Sequence, residues 1–267
     1  MKIPGYDNQA GAYDERVGTG EDIARCVAEG VAKLAHDGKL SNVLDVGCGT
    51  GEIGQYLNQL AINYTAMDRS AGMLDAFKSR LGDKAKATKL IETDGNLPWP
   101  VDDHSIDVIF SSRALHLLDL SHVLNEIQRL TSDSGLTCVI GRITRDKKGV
   151  SQTMRRQMRK ILEVHGFKGR SGKRNLEDIS DHCLSAGATD LGLVTVTRWK
   201  NTESPLHSID NWRSKTGLAG IAVSDEIRMA VLDELEQWAI QHYGSLNLMK
   251  ECPSFYELRG FYFPPRS

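Results

Sequence analysis

No apolar run in this chain of 267 residues approaches the roughly 20 residues that a bilayer-spanning helix needs. The opening stretch MKIPGYDNQAGAYDER lacks the apolar core of a secretory leader. Cysteine is scarce and scattered: Cys26, Cys48, Cys138, Cys183 and Cys252 form no C-x-x-C pair. Such spacing predicts no zinc site and no metal, but reduced, mostly buried thiols in a cytoplasmic protein. Internal repeats and low-complexity linkers are also missing. A chain this long buries most of its apolar surface without disulfides.

Net charge is nearly absent, with 33 Lys or Arg against 35 Asp or Glu, but the balance hides an asymmetry. Twelve Lys or Arg and two acids fall between Arg142 and Arg174, so that segment carries +10 and the remainder −12. Val150, Met154, Met158, Ile161 and Leu162 make an apolar helical stripe there, with Arg155, Arg156, Arg159 and Lys160 opposite. A solvated face on a packed helix is the ordinary meaning of this wheel. An anionic small substrate and a nucleic acid remain alternatives, because phosphate contacts give the same wheel. The acidic remainder opposes a polyanion partner.

What the sequence does have is VLDVGCGTG, Val43 to Gly51. It reads as a buried strand entering a glycine-rich turn that opens a helix, where backbone N–H groups approach a ligand. Helix Glu21–Ala35 precedes it, with Thr19 as the expected cap. After it, elements alternate: helix Gly51–Leu60, strand Tyr64–Met67, helix Ala71–Leu81, strand Ala87–Glu92, strand Ile106–Ser111, helix Ser121–Leu130 and strand Leu136–Ile143. Alternation of this kind predicts a Rossmann-like α/β fold: a mainly parallel sheet with helices on both faces. Helix Leu176–Ala186 and strand Asp190–Trp199 follow, then a helical stretch from Glu203 to Tyr243 with Ser224 as an N-cap. The final strand, Ser254–Phe263, is expected to pair antiparallel at a sheet edge. The whole is read as one domain: cap helices over 1–40, a core over 41–202 containing the basic helix 148–166, a helical insertion over 203–250, and the last strand over 251–267. The insertion is either a lid over the substrate or plain padding.

Two glycine patterns overlap in the loop. Gly47, Gly49 and Gly51 give G-x-G-x-G, and Gly49, Gly51 and Gly54 give the dinucleotide pattern G-x-G-x-x-G. Asp68, 19 residues after Gly49, can accept both hydroxyls of a ribose, which does not separate the two cofactor classes. Charge does. A pyrophosphate at a helix N-terminus wants neutral or positive surroundings, and here Asp45 and Glu52 flank the place. A cofactor bearing an ammonium and a sulfonium is attracted instead. GCGTG also lacks the Gly-Lys-Ser/Thr of a P-loop. Asp94 and Gly95 in ETDGNLPWP lie where the third strand ends, with adenine recognition and a self-capped Asp-Gly turn as equal readings.

These stretches together resemble the class I S-adenosylmethionine-dependent methyltransferases, especially those that modify small molecules. The resemblance runs from about Tyr6 to Arg142, through VLDVGCGTG, YTAMD with RSAGML, TDGNLPWP and IDVIFSSRALHLLD. It implies a seven-stranded sheet with an antiparallel last strand, and S-adenosyl-L-methionine as cofactor. By resemblance Asp45, Gly47, Cys48, Gly49 and Gly51 line its methionine part, and Asp68 with Arg69 its ribose. Asp94 and Gly95 take the adenine, the Ser111 carbonyl faces the amino group, and Tyr13 closes over the top.

The implied activity is methyl transfer to O or N of a small acceptor, by in-line displacement within a positioned pair. His116, after the fourth strand, is the candidate general base, against a packing role. Arg113 and Arg142 are candidates for binding an acceptor anion, against surface ion pairs. Trp212, with Trp99 and His207, is a candidate pocket wall, packing being the default. SSRAL lacks the Asn/Asp-Pro-Pro-aromatic motif of nucleobase-amine methylation, which weighs against RNA. An enzyme that cyclises or eliminates the cofactor itself, and a non-catalytic cofactor-binding protein, are the other readings. Neither the acceptor nor the oligomeric state is legible.

Overall fold

The structure is a computed structural model and describes residues 18–35, 38, 40–167, 176–215 and 217–265. In chain order its elements are α1 (Glu21–Leu34), β1 (Asn42–Val46), α2 (Gly54–Leu60), β2 (Asn63–Asp68), α3 (Ala71–Leu81), β3 (Lys89–Glu92) and β4 (Val108–Ser112). Next come α4 (Leu120–Leu130), β5 (Leu136–Arg145), α5 (Val150–Val164), α6 (Leu176–Ser185) and β6 (Thr189–Glu203). The remainder is α7 (Pro205–Arg213), β7 (Gly217–Leu218), β8 (Ile221–Ala222), α8 (Asp225–Tyr243) and β9 (Lys250–Phe263).

Among the described residues, seven strands form one sheet in the order β3-β2-β1-β4-β5-β9-β6. β1 pairs in parallel with β2 and β4, β2 with β3, and β4 with β5. The last strand is antiparallel, which completes the mainly parallel Rossmann-like sheet expected. The strand order reverses between β1 and β4, and a crevice opens at the carboxyl ends of such strands. One expectation is corrected. β9 lies between β5 and β6, and β6 takes the edge. β9 buries Cys252, Tyr256, Leu258, Phe261 and Phe263, whereas β6 leaves Leu191, Leu193 and Val194 exposed. The more apolar strand occupies the interior place.

The chain forms two compact units: Met1–Arg142 with Arg174–Thr197 and Tyr256–Ser267, and Ile143–Lys173 with Arg198–Phe255. The first has a core built on Leu44, Met67, Ile109, Ile127, Leu136 and Phe261. In the second, the stripe of α5 packs with Val231, Leu232 and Leu235 of α8 and with Ile209 of α7. That stripe is the set of residues read from periodicity. The stretch from Glu203 to Tyr243 is not continuously helical. A hairpin, β7–β8, interrupts it through Ala219 (φ 52°) and Gly220 (φ 79°), the paired positive φ of a type I′ turn. α8 itself begins as expected, with Ser224 Oγ accepting the Ile227 N–H at 3.3 Å.

Packing under the glycine turn is tight. A Cβ on Gly54 would stand 2.4 Å from the Tyr64 hydroxyl and 2.7 Å from Phe77, although the residue is helical and carries no positive φ. Gly54→Ala is therefore expected to cost about 1–3 kcal/mol by overpacking. Urea unfolding measures this, and an unchanged midpoint would show that the ring and hydroxyl yield freely.

Candidate functional site

The turn after β1 runs through Gly47, Gly49 and Gly51 with φ of 71°, 55° and 72°, a region costly for residues with a Cβ. The three glycines serve different ends. A Cβ on Gly47 would lie 2.3 Å from the Ala114 Cβ, and one on Gly51 2.0 Å from the Phe77 ring. On Gly49 it would meet nothing within 4 Å, so that position borders open space.

The N–H groups of this turn do not face that space. Gly47 and Cys48 donate to the Met67 carbonyl at 2.8 and 3.1 Å, and Gly51 to the Cys48 carbonyl at 3.1 Å. Gly49 donates to Asp68 Oδ2 at 2.9 Å. The expectation that these donors point at a ligand is corrected: the end of β2 has taken three of them and the turn itself the fourth. A pyrophosphate would find no donor among the four.

Carboxylates surround the turn instead. Asp45 is 2 % exposed and accepts the Tyr64 hydroxyl at 2.7 Å. Burial, with a smaller push from the Asp68 charge, raises its pKa to about 7 against the lowering effect of Tyr64. Burial and the same two acids push the Cys48 thiol well above its ordinary value, so no thiolate forms there. Asp68 is half-buried, and its Oδ1 accepts the Ser70 N–H at 3.0 Å. Each of its oxygens retains a second lone pair.

Glu52 Oε1 accepts the Thr19 N–H, the Thr19 hydroxyl at 3.1 Å and the Gly20 N–H at 2.9 Å. α1 thus starts at Gly20 without a side-chain cap of its own. Thr19 does not cap it, and the missing acceptor comes from 33 residues further along the chain.

Asp45, Gly47, Cys48, Gly49, Glu52, Phe110, Ser112 and Arg113 line an open cleft. Arg113 supplies the positive charge of that lining, and its φ of 62° is unusual for a residue with a long side chain. Ser111 is fully buried, and its hydroxyl donates to the Val46 carbonyl at 2.8 Å. The Ser112 hydroxyl shares a hydrogen bond with that of Tyr256. Sequence reasoning missed Tyr256, whose only signal was the alternation in SFYELRGFYF. Burial keeps this phenol protonated.

The other candidates are dispersed. His116 sits in the 3-10 turn Leu115–Leu117, exposed, and is not part of the cleft lining. Asp94 Oδ1 accepts from the Asn96 N–H at 3.0 Å and Nδ2 at 3.2 Å, so the self-capped turn is made. The Gly95 carbonyl accepts the Trp99 indole N–H at 3.0 Å, and Trp99 is core. Arg69 is exposed. Arg142 is engaged by Glu257 at 2.9 Å through both Nε and Nη2. Trp212 packs on the core of the second unit. In α7, the His207 N–H donates to the capping Ser204 hydroxyl. Tyr13 lies outside the described residues. Among the described residues, no group of His, Cys, Asp or Glu is placed to hold a metal ion, and no helix is long and apolar enough to cross a membrane.

Fold and cleft together define the class I S-adenosylmethionine-dependent methyltransferase fold. A family model described as a methyltransferase domain matches residues 44–139. A malonyl-[acyl-carrier protein] O-methyltransferase of Pectobacterium atrosepticum is 33% identical over 135 residues, 49% of this chain and 49% of that one. An uncharacterized methyltransferase of Bacillus subtilis, YodH, is 29% identical over 47% of this chain and 51% of its own. The chain spans about half the length of the curated relatives it matches. Among solved structures, the YcgJ protein of Bacillus subtilis has a TM-score of 0.55 at 12% identity, covering 92% of this chain and 100% of that one.

The raised pKa of Asp45 has a consequence for stability. The folded state holds this proton more tightly than the unfolded chain, so the stabilisation is complete below about pH 4 and is lost as pH rises through about 7. Asp45→Asn should remove that slope and, at pH 8, stabilise the ligand-free protein by about 2–4 kcal/mol. Urea unfolding at pH 5 and pH 8 checks it. Parallel pH dependence in both proteins would mean that Asp45 stays ionised.

Proposed function

We propose that the protein transfers a methyl group from S-adenosylmethionine to an oxygen of an acceptor bearing a carboxylate. The observation that carries this reading is the cleft over Gly49, where Asp45 and Glu52 accompany a single cation, Arg113. The residues present fit the cofactor: the loop turns its donors away and leaves two carboxylates, which suits an ammonium and a sulfonium and repels a pyrophosphate. S-Adenosylmethionine supplies an electrophilic methyl group when bound.

Asp45 and the Gly47–Gly51 backbone would hold the methionine part, and the remaining lone pairs of Asp68 the ribose hydroxyls. Asp94 and Gly95 would border the adenine, the Ser111 carbonyl the amino group, and Tyr13 the upper side. Arg113 would orient the acceptor by its carboxylate, the group for which a guanidinium fork is shaped. A backbone held in a costly conformation beside a cleft points to use of the side chain it directs. A carboxylate oxygen arrives ionised, so transfer to it needs no base. The exposed His116 keeps a base role only for an alcohol or amine acceptor. The malonyl group in the name of the Pectobacterium relative bears a free carboxylate, which supports the same class of acceptor.

Purified protein incubated with methyl-labelled cofactor and a malonyl thioester should yield base-labile label, as a methyl ester does. Arg113→Gln should raise KM for that acceptor about tenfold or more, with a smaller change in kcat. Base-stable label would place the methyl on nitrogen, and methylthioadenosine formed without acceptor would sink methyl transfer altogether. Asp68→Asn should weaken cofactor binding about 10–100-fold by calorimetry, through lost charge-assisted hydrogen bonds. Unchanged affinity would remove Asp68 from the site.

A further inference from the structure

The carboxyl end of β4 carries a hydroxyl that the cofactor contacts proposed above leave unused. Ser112 is half-buried and lines the cleft beside Arg113. Its hydroxyl is hydrogen-bonded to that of Tyr256. The two residues belong to strands that are not neighbours, since β5 lies between β4 and β9. The Tyr256 side chain crosses β5 at Gly141, the residue paired with Ser112. A Cβ there would stand 2.7 Å from the phenolic oxygen, so glycine at 141 leaves the room for that reach.

Burial sets the direction of this hydrogen bond. Tyr256 is 1 % exposed, and its hydroxyl proton needs an acceptor inside the protein. Among the described residues, Ser112 Oγ is the hydrogen-bond partner it has. A buried donor left unmade carries its full desolvation penalty. The phenol therefore donates and the serine oxygen accepts.

The proton of Ser112 is then directed elsewhere. Ser111, next to it, donates its own to the Val46 carbonyl at 2.8 Å. Among the described residues, the Ser112 hydroxyl makes no second hydrogen bond, and the cleft is where the residue is open. With the phenol on one of its lone pairs, this hydroxyl is fixed as a donor beside the one cation of the lining.

We infer that Ser112 donates a hydrogen bond to the acceptor's carboxylate, and that Tyr256 is the positioning residue that sets its direction. The inference rests on the carboxylate reading above and adds a second contact to that of Arg113. A carboxylate has about four lone-pair sites, so one oxygen can be held while the other stays free to attack. A neutral amine has a single lone pair, and a donor that engages it removes the nucleophile. The hydroxyl therefore suits an oxygen acceptor. No proton is transferred: Ser112 binds and orients, and does not act as a base.

Steady-state kinetics on the full chain with the malonyl thioester of N-acetylcysteamine test it, alongside cofactor calorimetry and urea unfolding. Ser112→Ala should raise KM for the thioester about tenfold, with a smaller change in kcat and unchanged cofactor affinity. Ser112→Thr keeps the hydroxyl and should stay within about threefold of the wild type. Tyr256→Phe should raise KM in the same direction, and Ser112→Ala/Tyr256→Phe no further than Ser112→Ala alone, as expected of a residue acting through another. Ser112→Ala leaves a buried phenol unpaired and lowers the urea midpoint; the double variant regains it while KM stays raised. Recovery of KM together with the midpoint would make the pair purely structural and overturn the proposal. So would additive losses in the double variant, or an unchanged KM in Ser112→Ala. A wild-type chain that binds cofactor but leaves no base-labile label on this thioester would sink the carboxylate reading, and Ser112 with it. An active wild type with an indifferent Ser112→Ala would sink Ser112 alone.

Discussion

The junction between the end of β2 and the turn after β1 is the constraint on which the site depends. Two successive residues do the holding. The Met67 carbonyl accepts the Gly47 and Cys48 N–H groups, and the Asp68 carboxylate accepts those of Gly49 and Ser70. Ser70 in turn caps α3 through the Met73 N–H. The same few atoms therefore fix the loop, the second strand and the start of the next helix. Because these donors are consumed inside the protein, what the loop offers the cleft beside it is the acids Asp45 and Glu52. A shared glycine pattern thus ends in opposite electrostatics, depending on where its N–H groups point.

Those electrostatics are expensive without a ligand. Asp45 is desolvated and lies near a second acid, and its pKa rises even though Tyr64 donates to it. Replacing its water with one hydroxyl does not restore the solvation of a charge. A bound cation would lower that cost, so affinity for such a ligand and ligand-free instability would come from the same atoms. Glu52 illustrates the opposite arrangement. Its Oε1 is matched by three donors at the start of α1, so it fastens the N-terminal helix to the loop while still bordering the cleft.

Local signals carried much of the fold into the sequence. The VLDVGCGTG strand and turn, the α5 stripe and the Ser224 cap all depend on residues within a few positions of one another, where 3.6-residue periodicity and turn chemistry operate. What escaped was set by distant partners. Thr19 satisfies a local capping rule, but Glu52 reaches it across 33 residues. The place of β9 depends on competition with β6 for the strand beside β5, which no single window encodes. The β7–β8 hairpin is too short for periodicity to register. In the site, Asp68 was legible from its position at the end of a strand. Tyr256 was not, because it belongs to the last strand and meets Ser112 only in the folded sheet.

That long-range contact explains why the interior place of β9 matters to the cleft. The Tyr256 hydroxyl occupies the space that a Cβ on Gly141 would need, 2.7 Å away, and bonds Ser112 at the end of β4. Gly141 then accepts the Arg113 N–H at 3.3 Å. The last residue of β4 is held by β9 and the first beyond it by β5, so the chain at Arg113 has little freedom to relax. Its left-handed φ costs about 1–2 kcal/mol and persists because Ser112 before it and its own N–H are both held. A strand contributed from more than 140 residues downstream thereby helps direct a guanidinium into the cleft over Gly49. Had β9 taken the edge, Ser112 would have lost its partner and Arg113 the reason to stay strained.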